Sequence, residues 1–225
     1  MPPRALLAVK LADKASPDDL LARLRDSYGQ GNTKEKRVKL ELKGGEAASL
    51  AVHSTKTLPA AERKWVWDLF ERNMKAHYES SADGYDPQDK RKELFHPDSR
   101  FVVLYRAAST PSSAKTQPAM LGYCIFRFDT EETASEEEDE LCDVAYCYEL
   151  QVDASAQRLG AGRVLMDALE RLGRAYRMDK VMLTVFKANE QARAFYERIG
   201  FGVDEIDPSH YDGEDVEYVI LSKPC

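Results

Sequence analysis

The chain has 225 residues, 43% of them hydrophobic, a formal net charge of −7 and an isoelectric point near 5.3. That length buries one substantial core, or one core with an extension. The acidic balance argues against holding nucleic acid by its phosphates and for a cationic partner, and no run of about 18 apolar residues is present to cross a membrane.

The opening MPPRALLAVKLADK carries a short apolar patch, Asp13 and no small-residue cleavage site, so no signal peptide is expected, and Pro2 excludes N-myristoylation. Ser16-Pro17-Asp18-Asp19 ahead of LLARLRDSY is a helix start with a capping serine, proline in the first turn and acids on the dipole, and Gly29 is its expected end. Val38 to Leu42 and Ser49 to Val52, joined through Gly44-Gly45, predict a hairpin. Residues 1–56 are thus expected to form an extension packed on a domain of residues 57–225. Pro59 to Tyr78 predicts a long helix with Trp65, Leu69 and Met74 toward the core. A short helix from Gln88 to Phe95 precedes a strand from Arg100 to Arg106. Residues 109–118 are a Pro/Ser-rich surface loop. A strand from Met120 to Phe128 leads into an acidic run ending at Glu140.

Tyr146 to Val152 alternates as a strand does, and Leu165, Leu169, Leu172 and Tyr176 recur at helical spacing. Between them lies Gln157-Arg158-Leu159-Gly160-Ala161-Gly162, a tight turn ahead of a helix N-terminus. Its two glycines are expected to let the backbone approach a ligand, and the helix start suits an anion. No Walker A run is present, and Leu165 stands where a dinucleotide fingerprint needs a third glycine. The rest reads as a strand Lys180 to Phe186, a helix Asn189 to Ile199 and a strand Val216 to Ser222, without internal repeats.

Glutamate is disfavoured in an apolar strand, so Glu149 is a candidate base, its alternative being a structural ion pair with a nearby arginine. Tyr78, Tyr146, Tyr148 and Tyr218, taken one at a time, read as core aromatics. Asp129 and Glu131, taken alone, begin an acidic solvated loop, and Glu136 to Glu140 attract basic tails at long range. Neither the four cysteines nor His53, His77, His96 and His210 have metal-ligand spacing, so reduced thiols and no metal are expected.

The Q-x-x-G-x-G turn, followed by KVMLTVF, Asn189 and ARAFYERIGF, resembles the acetyl-CoA site of the GNAT superfamily of N-acetyltransferases. FRFDTE, YCYELQV, VMLTVFKAN and GEDVEYVILSK, in that order, are similar to its histone N-terminal acetyltransferase subfamily, NatD, across Thr57 to Lys223. The resemblance implies an α/β fold, a mixed twisted sheet flanked by helices, with acetyl-CoA as cosubstrate. It implies that Leu150, Gln151 and Val152 offer backbone groups to the pantetheine arm. Arg158, Leu159, Gly160, Ala161, Gly162 and Arg163 would hold the pyrophosphate, and Asn189 would contact the pantetheine or position the acetyl end. The catalytic glutamate of the subfamily falls on Glu149, with Tyr148 beside it. Tyr196 matches a phenol near the sulfur, a general acid or else a core residue.

Substrate contacts would map onto Tyr78, Tyr146, Tyr148, Thr184 and Tyr218, a slot for a small first residue such as serine. Asp129 and Glu131 would face the arginine of Ser-Gly-Arg-Gly, the start of histone H4 and of the H2 histone of type A. A peptide α-amine has a pKa of about 8 against about 10.4 for lysine, so it needs only a mild base. Strict alternation sends Glu149 to the face opposite Tyr146 and Tyr148, so the three share a site only if the strand bulges, as strands of this fold do there. Two features depart from the subfamily: tryptophan is missing from the loop matching Asp83-Gly84-Tyr85, and a strongly basic N-terminal tail is missing. A monomer in the cytoplasm and nucleus is expected. Acetylation of a lysine or a polyamine, and a non-catalytic acyl-CoA or histone-tail binder, are the alternatives.

Overall fold

Eight short apolar segments join into one sheet: β1 (Val38–Glu41), β2 (Ala47–Ser54), β3 (Arg100–Arg106), β4 (Met120–Glu132), β5 (Leu141–Val152), β6 (Lys180–Phe186), β7 (Gly202–Val203) and β8 (Tyr218–Pro224). Their order is β1-β2-β3-β4-β5-β6-β8-β7, and of these pairs only β5 and β6 run parallel. The computed structural model describes residues 5–31, 35–82, 84–107, 118–134, 140–211 and 216–225. Most of the Pro/Ser-rich loop, Glu136, Glu137, Glu138 and Asp139 of the acidic run, and Asp83 lie outside the described residues.

Helices α1 (Ala5–Ala12), α2 (Pro17–Ser27), α3 (Ala60–Ser80), α4 (Pro87–Leu94), α5 (Ala161–Ala175) and α6 (Glu190–Arg198) cover both faces of the sheet. On one face Leu20 and Leu24 of α2 and Leu165, Leu169 and Leu172 of α5 pack on Phe126, Ala145 and Val181. On the other, Val66, Leu69 and Phe70 of α3 and Leu94 of α4 pack on Phe101, Tyr123 and Ile125. With both faces covered, the first six residues of β3 are all buried, which is why RFVVLYR reads as a continuous run and not as an alternation.

The α2 start is built as its sequence predicts. Asp19 N–H donates to Ser16 Oγ at 3.2 Å and Ser16 N–H to the Asp19 carboxylate at 2.9 Å, a capping box with aspartate at its third position. Other elements differ from expectation. The N-terminal apolar patch is a helix, α1, and a two-residue strand, β7, joins the sheet edge through β8. On α3 the fully buried stripe adds Val66, Trp67 and Phe70 to the expected Leu69, while Trp65 and Met74 pack against the same core, as expected, from partly buried positions. Asp129 and Glu131 do not begin a loop. They pair with Val144 and Cys142 because β4 and β5 stay in register through Glu132 and Leu141.

Two irregularities shape the centre of the sheet. Ile125 faces Glu149 but Phe126 faces Cys147, so Tyr148 is an extra residue in β5 and the strand bulges. Cys147 and Leu150 therefore join the core on the α5 side, while Tyr148 packs with the α3 side. Glu149 meets Lys90 of α4, and Gln151 meets Asn73 of α3. Tyr148 and Glu149, neighbours in sequence, thus share a face. In addition, β5 and β6 pair only from Val144 and Lys180 to Cys147 and Leu183, then part.

Gly122 of β4 lies opposite Val152 at the top of this region, and a Cβ there would stand 2.7 Å from the Gln151 carbonyl oxygen and 3.3 Å from Val152 Cα. Gly122→Ala is expected to destabilise the chain by about 1–3 kcal/mol, since backbone has to yield. Gly202→Ala, which meets nothing within 4 Å, should change stability by less than about 0.5 kcal/mol. Denaturant titration of both variants checks the contrast.

Candidate active site

Where β5 and β6 part, a cavity of about 450 Å³ opens between them, walled by α3, α4 and α6. At its base Glu149 is only 7% exposed. Gln151 Nε2–H donates to Glu149 Oε1 at 2.6 Å, and Asn73 Nδ2–H donates to Gln151 Oε1 at 2.7 Å, so α3 fixes the carboxylate through one carboxamide. Glu149 Oε2 lies 3.8 Å from Lys90 Nζ. The cation beside Glu149 is thus this lysine of α4, where the alternative reading had named an arginine.

Lys90 is positioned by its helix. Asp86 accepts from Gln88 N–H at 2.7 Å and Asp89 N–H at 3.1 Å, Pro87 occupies the first turn, and Lys90 and Leu94 fall one turn apart on the buried face. Its ammonium donates to Glu93 at 2.7 Å and stands 4.8 Å over the Tyr78 ring. Burial pushes the Glu149 carboxyl above its ordinary range, and the pull of Lys90 and the Gln151 hydrogen bond only partly offset it. Burial alone would lower Lys90, but Glu149, Tyr78 and Glu93 together raise it above the usual lysine value. Sequence reasoning missed Lys90, Asn73 and the side-chain role of Gln151. The signal that was present is the spacing of Lys90 to Leu94 in an otherwise polar helix.

Aromatic rings wall the outer part of the cavity. Tyr146 and Tyr148 lie 4.9 Å apart between centroids, and the Tyr146 hydroxyl and Thr184 Oγ1 are 2.6 Å apart. Arg127 stands 4.0 Å over the Tyr148 ring and donates to the Glu93 carbonyl. Tyr78 meets Phe186 edge to face at 5.0 Å, and Tyr218, opposite Phe186 in β8, also lines the cavity. Tyr196 of α6 lines it from a nest formed with Phe195 and Phe201, and burial drives its phenol well above the ordinary value, so it stays protonated at neutral pH. Burial likewise takes Tyr146 up to about 12.

Glu131 stands on the cavity wall, where burial and then the nearby Asp129 raise its carboxyl. Asp129 is not part of that wall, and its negative charge acts on Glu131 and Tyr148 from beside it. Near the same region Tyr85 donates to Glu71 at 3.2 Å, and Ala82 N–H donates to Glu217 at 2.7 Å, which ties the end of α3 to the start of β8.

Leu150, Gln151 and Asn189 also line the cavity, whereas Val152 and the turn from Arg158 to Arg163 lie beyond it. Asn189 caps α6, its side-chain oxygen accepting from Ala192 N–H at 3.2 Å. Gly160 is the N-cap of α5 with φ 88° and no side-chain cap, and Arg158 before it also has positive φ, 63°. The first N–H groups of α5 therefore have no side-chain cap. Gly162 has a packing role that its sequence context does not show. A Cβ there would come within 3.2 Å of the Phe195 ring and 3.7 Å of Val152 Cγ2, so this glycine lets α6 pack against α5 and β5. Unpaired strand edges, a cavity and an uncapped helix start lie in succession, an arrangement that fits an extended ligand with an anionic end. Among the described residues no group of three His, Cys, Asp or Glu is placed to hold a metal ion, and no helix is long and apolar enough to cross a membrane.

Residues 64–201 match the family described as "Acetyltransferase (GNAT) family". The fold is similar to that of Arabidopsis thaliana NAA60 in complex with a bisubstrate analogue, with TM-score 0.55 and 11% identity over 78% of this chain and 99% of that one. It is also similar to the GNAT domain of S. lividans PAT, with TM-score 0.55 and 13% identity over 86% and 99% of the two chains. An acetyltransferase from Streptococcus agalactiae matches with TM-score 0.52 and 13% identity over 78% and 98%. At these identities the likeness is one of fold.

The Glu149 site makes a prediction that is independent of any activity. Lys90 holds the Glu149 carboxyl down against burial, so Lys90→Met should move its titration further up. NMR titration of the Glu149 side-chain carboxyl checks this, and an unmoved midpoint would show that the pair is not coupled.

Proposed function

The chain belongs to the GNAT acetyltransferase family, and from that premise we propose that it acetylates the α-amine of protein N-termini. The substrates proposed are the tails of histone H4 and the H2 histone of type A, which start Ser-Gly-Arg-Gly. The observation that carries this reading is the bulge, which sets Tyr146, Tyr148 and the buried Glu149 around one cavity. A slot walled by tyrosines admits a thin backbone with a small first side chain. Glu131 on its wall, with Asp129 beside it, offers negative charge to an arginine two residues further along the substrate, and a carboxylate matches guanidinium geometry well.

Acetyl-CoA supplies an acyl group already activated as a thioester. Glu149 takes the proton of the attacking amine, directly or through one water, as the new N–C bond forms. Its raised pKa brings it closer to working pH than an exposed glutamate and makes it a better base. Lys90, 3.8 Å away, favours its ionised form. Tyr196 retains its proton at neutral pH and gives it to the sulfur as the C–S bond breaks, then regains one from solvent. Tyr148, braced by Arg127, and Tyr146, bound to Thr184, hold the substrate terminus above Glu149. Asn189 and the backbone of Leu150, Gln151 and Val152 flank the pantetheine arm, and the turn from Arg158 to Arg163 receives the phosphates. We propose a monomer acting in the cytoplasm and nucleus, meeting histone tails and not the nucleic acid, in keeping with the net charge of −7.

Two Ser-Gly-Arg-Gly peptides, one with a free and one with a blocked α-amine and both containing a lysine, separate the readings by mass spectrometry. A single acetyl on the free terminus alone is expected. Acetyl on the lysine of both peptides would assign a side-chain acetyltransferase, and no product with either would point to a binding module. In steady-state kinetics Glu149→Gln should lose about 100- to 10,000-fold in kcat while CoA affinity stays within about twofold. Turnover retained in that variant would refute the base assignment.

A further inference from the structure

The turn between β1 and β2 reaches the phosphate-facing start of α5. Lys43 N–H donates to the Leu159 carbonyl at 2.9 Å, and Leu42 beside it is buried in the core, so the turn is pinned against the Arg158 to Arg163 segment. The Lys43 side chain lies beside Gly160, its Cγ 3.7 Å from where a Cβ on that glycine would stand. Gly160 is the uncapped N-cap of α5. Lys43, Arg158 and Arg163 are all exposed, and among the described residues none of them enters an ion pair. Three cations without an anionic partner therefore gather at one helix start in a chain whose net charge is −7.

We propose that Lys43 is a cofactor-binding residue, its ammonium neutralising a phosphate of CoA. The assignment rests on the acetyl-CoA reading above and adds to it a contact from outside the family-matched residues 64–201. CoA carries a pyrophosphate and a ribose phosphate, several negative charges in all, whereas a helix N-terminus offers the equivalent of about half a positive charge. The α5 start alone cannot balance that charge. Lys43 has the reach to contribute, since a flexible four-carbon stem carries the ammonium past Gly160 while the backbone bond to Leu159 fixes where the stem begins. The hairpin thereby acts as a clasp on the cofactor as well as a pair of sheet strands.

The test is the affinity of the full chain for CoA by calorimetry, with no turnover. Lys43→Met should weaken binding about three- to tenfold, Lys43→Glu more, and Lys43→Arg little. The affinity of Lys43→Met should also fall less steeply with added salt than that of the unsubstituted chain, a readout that a merely structural role would not move. Repeating the measurement with dephospho-CoA identifies the phosphate. An effect that vanishes assigns Lys43 to the ribose phosphate, and one that persists assigns it to the pyrophosphate. CoA affinity and salt slope unchanged in both Lys43→Met and Lys43→Glu would overturn the proposal while leaving the acetyl-CoA reading intact. No CoA binding by the unsubstituted chain would instead overturn that reading, and this assignment with it.

Discussion

One extra residue in β5 decides what the cavity contains. A strand sends successive side chains to opposite faces, so an unbroken β5 would put Tyr148 and Glu149 in different layers. Because Tyr148 has no partner of its own in β4, the phase of the strand slips at that point. The aromatic wall and the carboxylate then face the same space, while Cys147 and Leu150 fill the opposite core. The side chains that neighbour Glu149 (Lys90, Gln151 and, through Gln151, Asn73) matter only because this slip turns it toward α3 and α4.

The same placement sets the electrostatics. A carboxylate buried without compensation is costly, and Glu149 has two compensating groups, one neutral and one cationic. The neutral one is close, at 2.6 Å, and the cationic one distant, at 3.8 Å, with its shorter contact given to Glu93. Lys90 is thus shared between two acids and an aromatic face, which steadies the charge near Glu149 without clamping it. A tight bidentate pair would fix the carboxylate in its ionised form and leave it a poor proton acceptor. This looser arrangement leaves the proton affinity of Glu149 raised.

Much of this was legible from the residues. The α2 cap, the limits of β3 and β6 and the apolar stripe of α5 all rest on local chemistry, and local chemistry is visible in a sequence. Features that depend on pairing partners were not. β4 extends beyond Phe128 only because β5 supplies Leu141 to Val144 opposite it, so Asp129 and Glu131 read as a loop. β7 is two residues long and is defined by its ladder with β8. The bulge leaves no composition signal and was expected through resemblance alone. Gly162 shows a further limit: a glycine beside an anion turn reads as ligand access, and nothing local reveals that it also makes room for Phe195, from a helix more than thirty residues away in the chain.

The parting of β5 and β6 bears also on how such a sheet manages its strand edges. A strand edge with free N–H and C=O groups is a template for other chains, and proteins normally shorten, charge or cover their edges. The outer edges here follow that practice, since β7 has two residues and β1 has four, among them the exposed Lys39 and Glu41. The inner edges of β5 and β6 remain unpaired with each other beyond Cys147 and Leu183, but they face each other across the cavity. Lying inside the sheet, they are not offered to a second protein's sheet as an outer edge would be. The fold thus keeps an open hydrogen-bonding ladder at its centre and protects it from aggregation by position alone.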